Sequence, residues 1–215
     1  MDIIPDRLRH LPDLRVGFRF FLQGVASLIS PSGRYGDYPK RTRRVWTASG
    51  SLAISLKGYS LDTRALRNTL GQFATGVCVL TTNDPDRGAI GMTVNSFAAV
   101  SLEPALVLWS IQNTSECFKE FTECDRYGIS VLRQSQEILS NRYARSLEHR
   151  VDEGDCFVDS HGVPLIQGAL ATLSCKVSAL HPGGDHHIIV GEVVDFESHS
   201  GDPLVFFGGA YSRLG

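Results

Sequence analysis

Residues 89–104 read AIGMTVNSFAAVSLEP, a run of β-branched and small apolar side chains fit for a sheet core. Thr93, Asn95, Ser96 and Ser101 stand within it, an unusual density of small hydrogen-bonding groups for such a segment. In an extended strand Thr93 and Asn95 share one face, while Val94 and Ser96 share the other. Gly91 admits the close approach of a ligand ring or a neighbouring backbone. The mixture suits a flat ligand with polar edges. The plainer alternative is a buried strand with a few satisfied hydroxyls.

Outward from this stretch, the chain punctuates itself in short units. VCVLTT at 77–82 is strand-like, and the turn signal NDPDRG at 83–88 joins it to the opening stretch as a hairpin. Upstream, Asp62 is a plausible N-cap. Leu66, Leu70 and Phe73 then recur at helical spacing until Gly71 and Gly76, which predicts a short amphipathic helix on the outside of a sheet. Downstream, Pro104 is followed by the apolar strand ALVLWSI, which ends in Gln112, Asn113, Thr114 and Ser115. Those polar side chains can cap the helix suggested by Cys117, Phe118 and Phe121. A strand at 127–132 follows, then a helix opened by Ser135 and running through Ile138, Leu139 and Tyr143. After a charged loop at 148–155 come strand-like runs at 169–180, 187–196 and 204–207. Six or more strands with few helices and hairpin-like spacing predict a mainly β fold, an antiparallel barrel with peripheral helices. A doubly wound sheet would need regular strand–helix alternation, which is missing.

The 215 residues suffice for one domain with an appended arm. Net charge is -2, which argues against nucleic acid as the principal partner. The balance is uneven: residues 1–58 hold ten Lys or Arg against four Asp or Glu, net +6, and residues 59–215 hold eleven against nineteen, net -8. The first 58 residues read as a basic, poorly ordered N-terminal extension, and 59–215 as the functional domain. The apolar run at 20–29 is too short to span a membrane, so no membrane association is expected. Five cysteines without a CxxC pair suit reduced thiols in a cytoplasm, and they oppose reading that run as a secretory signal.

Standard nucleotide and hydrolase motifs are missing: no GxGxxG, no GxxxxGK[ST], no GxSxG and no HExxH occurs. His181, Asp185, His186 and His187 carry metal-ligand chemistry. Adjacent strand residues point to opposite faces, however, so His186 and His187 would not readily share one ion, and no metal is expected. A single imidazole set at a strand start by the Gly183–Gly184 turn, facing a ligand cavity, is the better reading; an exposed loop histidine is the alternative. Asn113, Thr114 and Ser115 at a helix start form an anion site fit for a phosphate, with simple N-capping as the alternative.

The ordered series GQFATGVCVLTT, GMTVNSFAAVSLEP, ALVLWSI, YGISVL, GDHHIIVGEV and DPLVFFGGAYSRL, spanning about 62–214, resembles the flavin reductase-like family. The resemblance implies an FMN-binding split barrel, antiparallel and of Greek-key type. It also implies a reductase component that uses NADH or NADPH to reduce FMN or FAD, is a homodimer, and passes reduced flavin to a separate oxygenase. By the same resemblance Thr93, Val94, Asn95, Ser96, Val100 and Ser101 match the segment that holds the flavin ring and ribityl chain. Ser110, Asn113, Thr114 and Ser115 match the phosphate end. Gly184, Asp185 and His186 match the GDH signature near the nicotinamide, and Tyr211 matches an aromatic that shapes that pocket. Glu116 departs from the pattern, since it would repel a phosphate if it faced inward. Glu103 and Ala105 replace the usual Asp and second Pro.

Hydride transfer between two bound cofactors needs stacking, edge hydrogen bonds and exclusion of wrong geometry, so no catalytic nucleophile or strong base is expected. A flavin-binding sensor or carrier without turnover is a competing reading, and a non-catalytic structural domain a third. The GDH signature and Tyr211 favour the enzyme, because a mere binder has no need of a nicotinamide pocket.

Overall fold

The computed structural model describes residues 61–214 and two short paired strands before them, β1 (Val45–Trp46) and β2 (Leu52–Ala53). β1 and β2 pair antiparallel within a separate N-terminal unit, residues 1–62. The rest of the basic extension lies outside the described residues. From Thr63 onward come α1 (Thr63–Leu70), β3 (Thr75–Gly76), β4 (Cys78–Asp84), β5 (Gly88–Val94), β6 (Ala98–Leu102) and β7 (Ala105–Gln112). Then follow α2 (Phe118–Glu123), β8 (Arg126–Val131), a 3₁₀ turn at Gln134–Gln136, α3 (Glu137–Tyr143), β9 (Cys156–Val158) and β10 (Pro164–Ile166). The long strands β11 (Ala171–Gly183) and β12 (His186–Ser198) precede β13 (Val205–Phe207) and β14 (Ala210–Ser212).

Seven strands form one sheet in the order β5-β4-β8-β11-β12-β7-β6, and every pairing in it is antiparallel. β14-β13-β3 and β10-β9 make two smaller sheets. This is the antiparallel, mainly β architecture expected. Among the described residues no helix is long and apolar enough to cross a membrane.

The run VCVLTT is buried at every position because β4 is covered on both faces. Cys78 and Leu80 join a cluster with Trp109, Ile111, Phe121, Tyr127, Ile129 and Ile189, whereas Val77 and Val79 join a second cluster with Leu132, Tyr143, Val151 and Leu204. Trp109 anchors the first, edge-on to Phe121 at 5.1 Å and to Tyr127 at 5.9 Å. Strand hydroxyls are satisfied locally: Thr82 Oγ1 donates to the Arg126 carbonyl at 2.9 Å, and Thr81 Oγ1 donates to that of Pro164.

Two expectations fail here. α1 does not lie against the sheet: none of its residues is buried, and Leu70 and Phe73 are 65% and 77% exposed. Just past its C-terminal end, the Gly71 carbonyl accepts the Gly208 N–H of the β13–β14 turn at 2.8 Å. The polar turn at 112–115 does not cap α2 directly either. Ser115 Oγ accepts the N–H of Cys117 at 3.3 Å, and Cys117 itself sits at the cap position without a side-chain bond.

Candidate functional site

β5 faces two ways. Ile90 and Val94 point into the Trp109 cluster, while Ala89 packs on the cluster beneath α3. Thr93, with the same parity as Ala89, donates its hydroxyl proton to the Ser140 carbonyl of α3 at 2.7 Å. Val94 is 9% exposed, so its side chain belongs to the core and only its backbone is left for a ligand. The strand ends at Val94, and residues 95–97 bend away before β6. The alternation expected to carry Asn95 and Ser96 therefore stops short of them.

Gly91 is close-packed against protein. A Cβ there would meet Val151 Cγ2 at 2.9 Å, because residues 149–151 add to the edge of β5. Gly91 N–H donates to the His149 carbonyl at 2.7 Å and Val151 N–H to that of Ala89 at 2.8 Å. The Val151 side chain, on the segment paired to this edge, is thus what this glycine admits.

At the bend, Ser96 Oγ receives the N–H of Ser110 at 3.0 Å and donates to the Ser110 carbonyl at 3.1 Å. This joins the polar stretch after β5 to the end of β7. Val100 is the extra residue of a β-bulge, since Ala99 pairs with Val107 and Ser101 with Leu106. Ser101 Oγ accepts the N–H of Glu103 at 3.2 Å, ahead of the cis Glu103–Pro104 bond, and so closes the turn into β7.

β7 pairs with β12, which sets Gln112 opposite His186. Gly184 and Asp185 form the two-residue loop between β11 and β12, and Gly184 has φ of +77°, a conformation that suits glycine at the first position of a tight hairpin turn. Asn113 clamps this loop. Its N–H donates to the Asp185 carbonyl at 2.9 Å, Nδ2 donates to the Gly184 carbonyl at 3.3 Å, and Oδ1 lies 2.7 Å from His187 Nδ1. Since Asn113 Nδ2 is committed to a carbonyl, Oδ1 must accept, and His187 Nδ1 carries the proton. The His187 ring also stands edge-on to Phe118 at 5.1 Å. His186 takes the other side, with Nδ1 2.7 Å from Asp185 Oδ1. That hydrogen bond, with the attraction of the ring's charge, holds the Asp185 carboxyl below its usual range.

Tyr211 arrives from β14. Its hydroxyl lies 2.7 Å from Ser140 Oγ and its ring is edge-on to Phe206 at 5.7 Å. The residues singled out from sequence thus fall into three bonded sets, Tyr211 through Ser140 to Thr93, Ser96 to Ser110, and Asn113 to the GDH loop, which follow one another along the chain from β5 to β7 and its closing turn. Asn113 and Ser115 spend their side chains on the protein itself. Asn95, Ser110 and Thr114 have no side-chain hydrogen bond among the described residues, and Thr93 Oγ1 keeps its lone pairs. Amide and hydroxyl groups of this kind fit the carbonyl and N–H edge of a flat heterocycle with a phosphorylated tail.

Ser140 and His149 escape a reading by motif, and the partners of Glu116 do too. Glu116 accepts the Leu147 N–H at 2.7 Å and lies 3.2 Å from His149 Nε2, while His149 Nδ1 lies 3.2 Å from the Gly91 carbonyl. Only an expectation that α3 and the 148–155 loop return to β5 would have found these contacts. A separate cavity of about 620 Å³, lined by Asp84, Lys119, Glu120, Asp125, Arg126 and His161, lies at the far end of β4 from Thr93 and takes no part in this network.

Residues 70–215 match the model of the flavin reductase like domain. The chain is 47% identical over 153 residues to the FMN reductase (NADH) SmoA of Agrobacterium fabrum, covering 71% of this chain and 87% of that protein. It is 38% identical over 148 residues to the reductase component of the flavin-dependent trigonelline monooxygenase of Acinetobacter baylyi, covering 69% of this chain and 48% of that protein. Among solved structures, the Streptomyces globisporus NADH:FAD oxidoreductase SgcE6 in complex with NAD and FAD fragments aligns with a TM-score of 0.68 at 33% identity, over 77% of this chain and 98% of that one. With sequence, fold and the order of its polar segments in agreement, this chain belongs to the flavin reductase-like domain family.

Proposed function

We propose that this chain is an NADH-dependent flavin reductase, the reductase component of a two-component monooxygenase, which uses FMN or FAD and passes the reduced flavin to a separate oxygenase. The observation that carries the reading is the succession of polar segments along β5 to β7, with the Ser96–Ser110 pair joining the stretch after Thr93 to the end of β7 and the Asn113 clamp holding the Gly184–Asp185 loop beside it. When bound, the two cofactors supply the chemistry between themselves, a hydride passing from nicotinamide to flavin. The residues bind and orient. Thr93, Val94 by its backbone, Asn95, Ser96, Val100 and Ser101 would line the flavin ring and ribityl chain, with Ser110, Asn113, Thr114 and Ser115 at the phosphate end. Gly184, Asp185, His186 and Tyr211 would border the nicotinamide. Asn113 and Ser115 would give that end rigidity rather than free donors, since their backbone N–H groups donate to the Asp185 and Gln112 carbonyls.

We further propose that residues 59–215 hold the whole activity, that the protein works as a homodimer, and that it resides in the cytoplasm. Free, largely buried thiols support the compartment, and the exposed apolar side of α1, with Leu66, Leu70 and the nearby Phe73, supports association. The test is loss of NADH absorbance by the purified chain. It should require added flavin and rise saturably with it. NADH consumption independent of flavin, or none with either flavin, would refute the reading, and flavin binding without turnover would favour a sensor or carrier. A monomeric mass by light scattering at full activity would refute the dimer.

A further inference from the structure

Ser140 is fully buried in the middle of α3, outside every segment the family resemblance singles out, and it touches two of them at once. Its backbone carbonyl accepts the Thr93 hydroxyl at 2.7 Å, and its own hydroxyl lies 2.7 Å from that of Tyr211. The carbonyl can only accept, so Thr93 Oγ1 is the donor and presents nothing but lone pairs to any ligand. The Tyr211 ring is fixed at one side by Phe206 and at its hydroxyl by Ser140. We propose that Ser140 is a positioning residue: one residue of α3 sets the Thr93 hydroxyl as a hydrogen-bond acceptor for a ring N–H of the flavin, and separately pins Tyr211 at the nicotinamide side. This rests on the flavin reductase reading above.

The two contacts come from different parts of Ser140, which makes them separable. Ser140→Ala keeps the carbonyl and removes the hydroxyl, so Thr93 stays oriented and Tyr211 is released. Flavin Kd, read by fluorescence quenching without NADH, should change less than about twofold, while KM for NADH rises roughly two- to tenfold, the effect of one lost neutral hydrogen bond. Tyr211→Phe deletes the same bond from its half-buried end and should reproduce that pattern even if a buried alanine disturbs folding. In the double variant the effects on KM should not add, because both substitutions remove one interaction. Thr93→Val should show the opposite split, weakening flavin binding by a similar factor. Additive effects of Ser140→Ala and Tyr211→Phe in an active protein would overturn the inference, as would a loss of flavin affinity in Ser140→Ala equal to that in Thr93→Val. Wild-type protein that neither binds flavin nor oxidises NADH would instead remove the underlying functional reading, and this inference with it.

Discussion

Ser96 and Ser110 exchange two hydrogen bonds, both through the Ser96 hydroxyl. β6 and β7 pair Ala98 with Leu108, so extending that register by two residues would set Ser96 opposite Ser110. The chain has already left the ladder there, and the Ser96 side chain supplies the donor and acceptor that its backbone withholds. Ser96→Ala should leave the N–H and carbonyl of half-buried Ser110 without partners, at a cost of about 1 kcal/mol. Thermal unfolding should fall by roughly 2–4 °C, a shift usual for that energy in a domain of this size. Flavin affinity should weaken as well. An unchanged melting temperature and unchanged flavin titration would show that the pair does not hold the site together.

His186 and His187 point to opposite partners, as adjacent strand residues should, yet neither is idle. His186 pairs with exposed Asp185, while His187 holds Asn113 and packs on Phe118. His186→Ala should raise KM for NADH roughly two- to tenfold and leave flavin Kd nearly constant. His187→Ala should loosen the Asn113 clamp and weaken flavin at the phosphate end. The two variants should thus separate in a flavin titration without NADH. If His187→Ala alone impaired NADH use and His186→Ala were silent, the nicotinamide side would be misplaced.

The β4–β5 hairpin, β7 and the GDH loop were legible in sequence because turn residues and apolar runs act locally. β9, β10 and β14, three residues each, were not, since their pairing depends on partners brought back by the tertiary fold. The site residues were legible as types but not as roles. Ser96, Asn113 and Ser115 bond to backbone groups, and Val94 turns inward, because each obeys local hydrogen bonding or strand parity that a motif does not encode. Ser140 and His149 lie in segments whose contact with β5 is long-range, so nothing nearby in the chain announces them.

Burial pushes the Cys78 and Cys175 thiols up to about 12. At pH 8 only about one thiol in ten thousand would be ionised at such a site. Native protein should therefore resist iodoacetamide at both positions, and unfolded protein should react at all five cysteines. A thiol that ionises near 9.0 when unfolded and near 12 when folded contributes stability that is fully present below pH 9 and lost as the pH rises toward 12. Unfolding midpoints in denaturant should decline across that window. Rapid native labelling of Cys78 or Cys175 would contradict their burial.

A chain beginning at Ser60 should retain flavin-dependent NADH oxidation. The first 58 residues carry a charge of opposite sign to the remainder, and the family match begins only at residue 70. Specific activity within about twofold of the full chain is the expected result. A folded truncation that binds flavin but does not turn over would assign the extension a part in the site.

Glu116 sits beside the Asn113–Ser115 turn, where an inward carboxylate would oppose a phosphate. Its carboxylate is instead occupied by the Leu147 N–H and the His149 ring. Leu147 has φ of +67°, a conformation uncommon outside glycine, so this anchor fixes a turn with little intrinsic preference for its shape. Were the carboxylate within about 6 Å of a bound phosphate, repulsion on the order of 1–3 kcal/mol would be expected at a surface-like dielectric. Glu116→Gln would then tighten FMN roughly tenfold and leave riboflavin, which has no phosphate, unchanged. With the carboxylate engaged at the 147–149 turn, Glu116→Gln should alter both affinities by less than about twofold, because the amide oxygen still accepts the Leu147 N–H. Glu116→Ala should release the turn, free His149 from one of its two partners and weaken FMN and riboflavin alike. A selective gain for FMN in Glu116→Gln would show that the carboxylate faces the phosphate after all, and that its bond to Leu147 does not persist in the flavin complex.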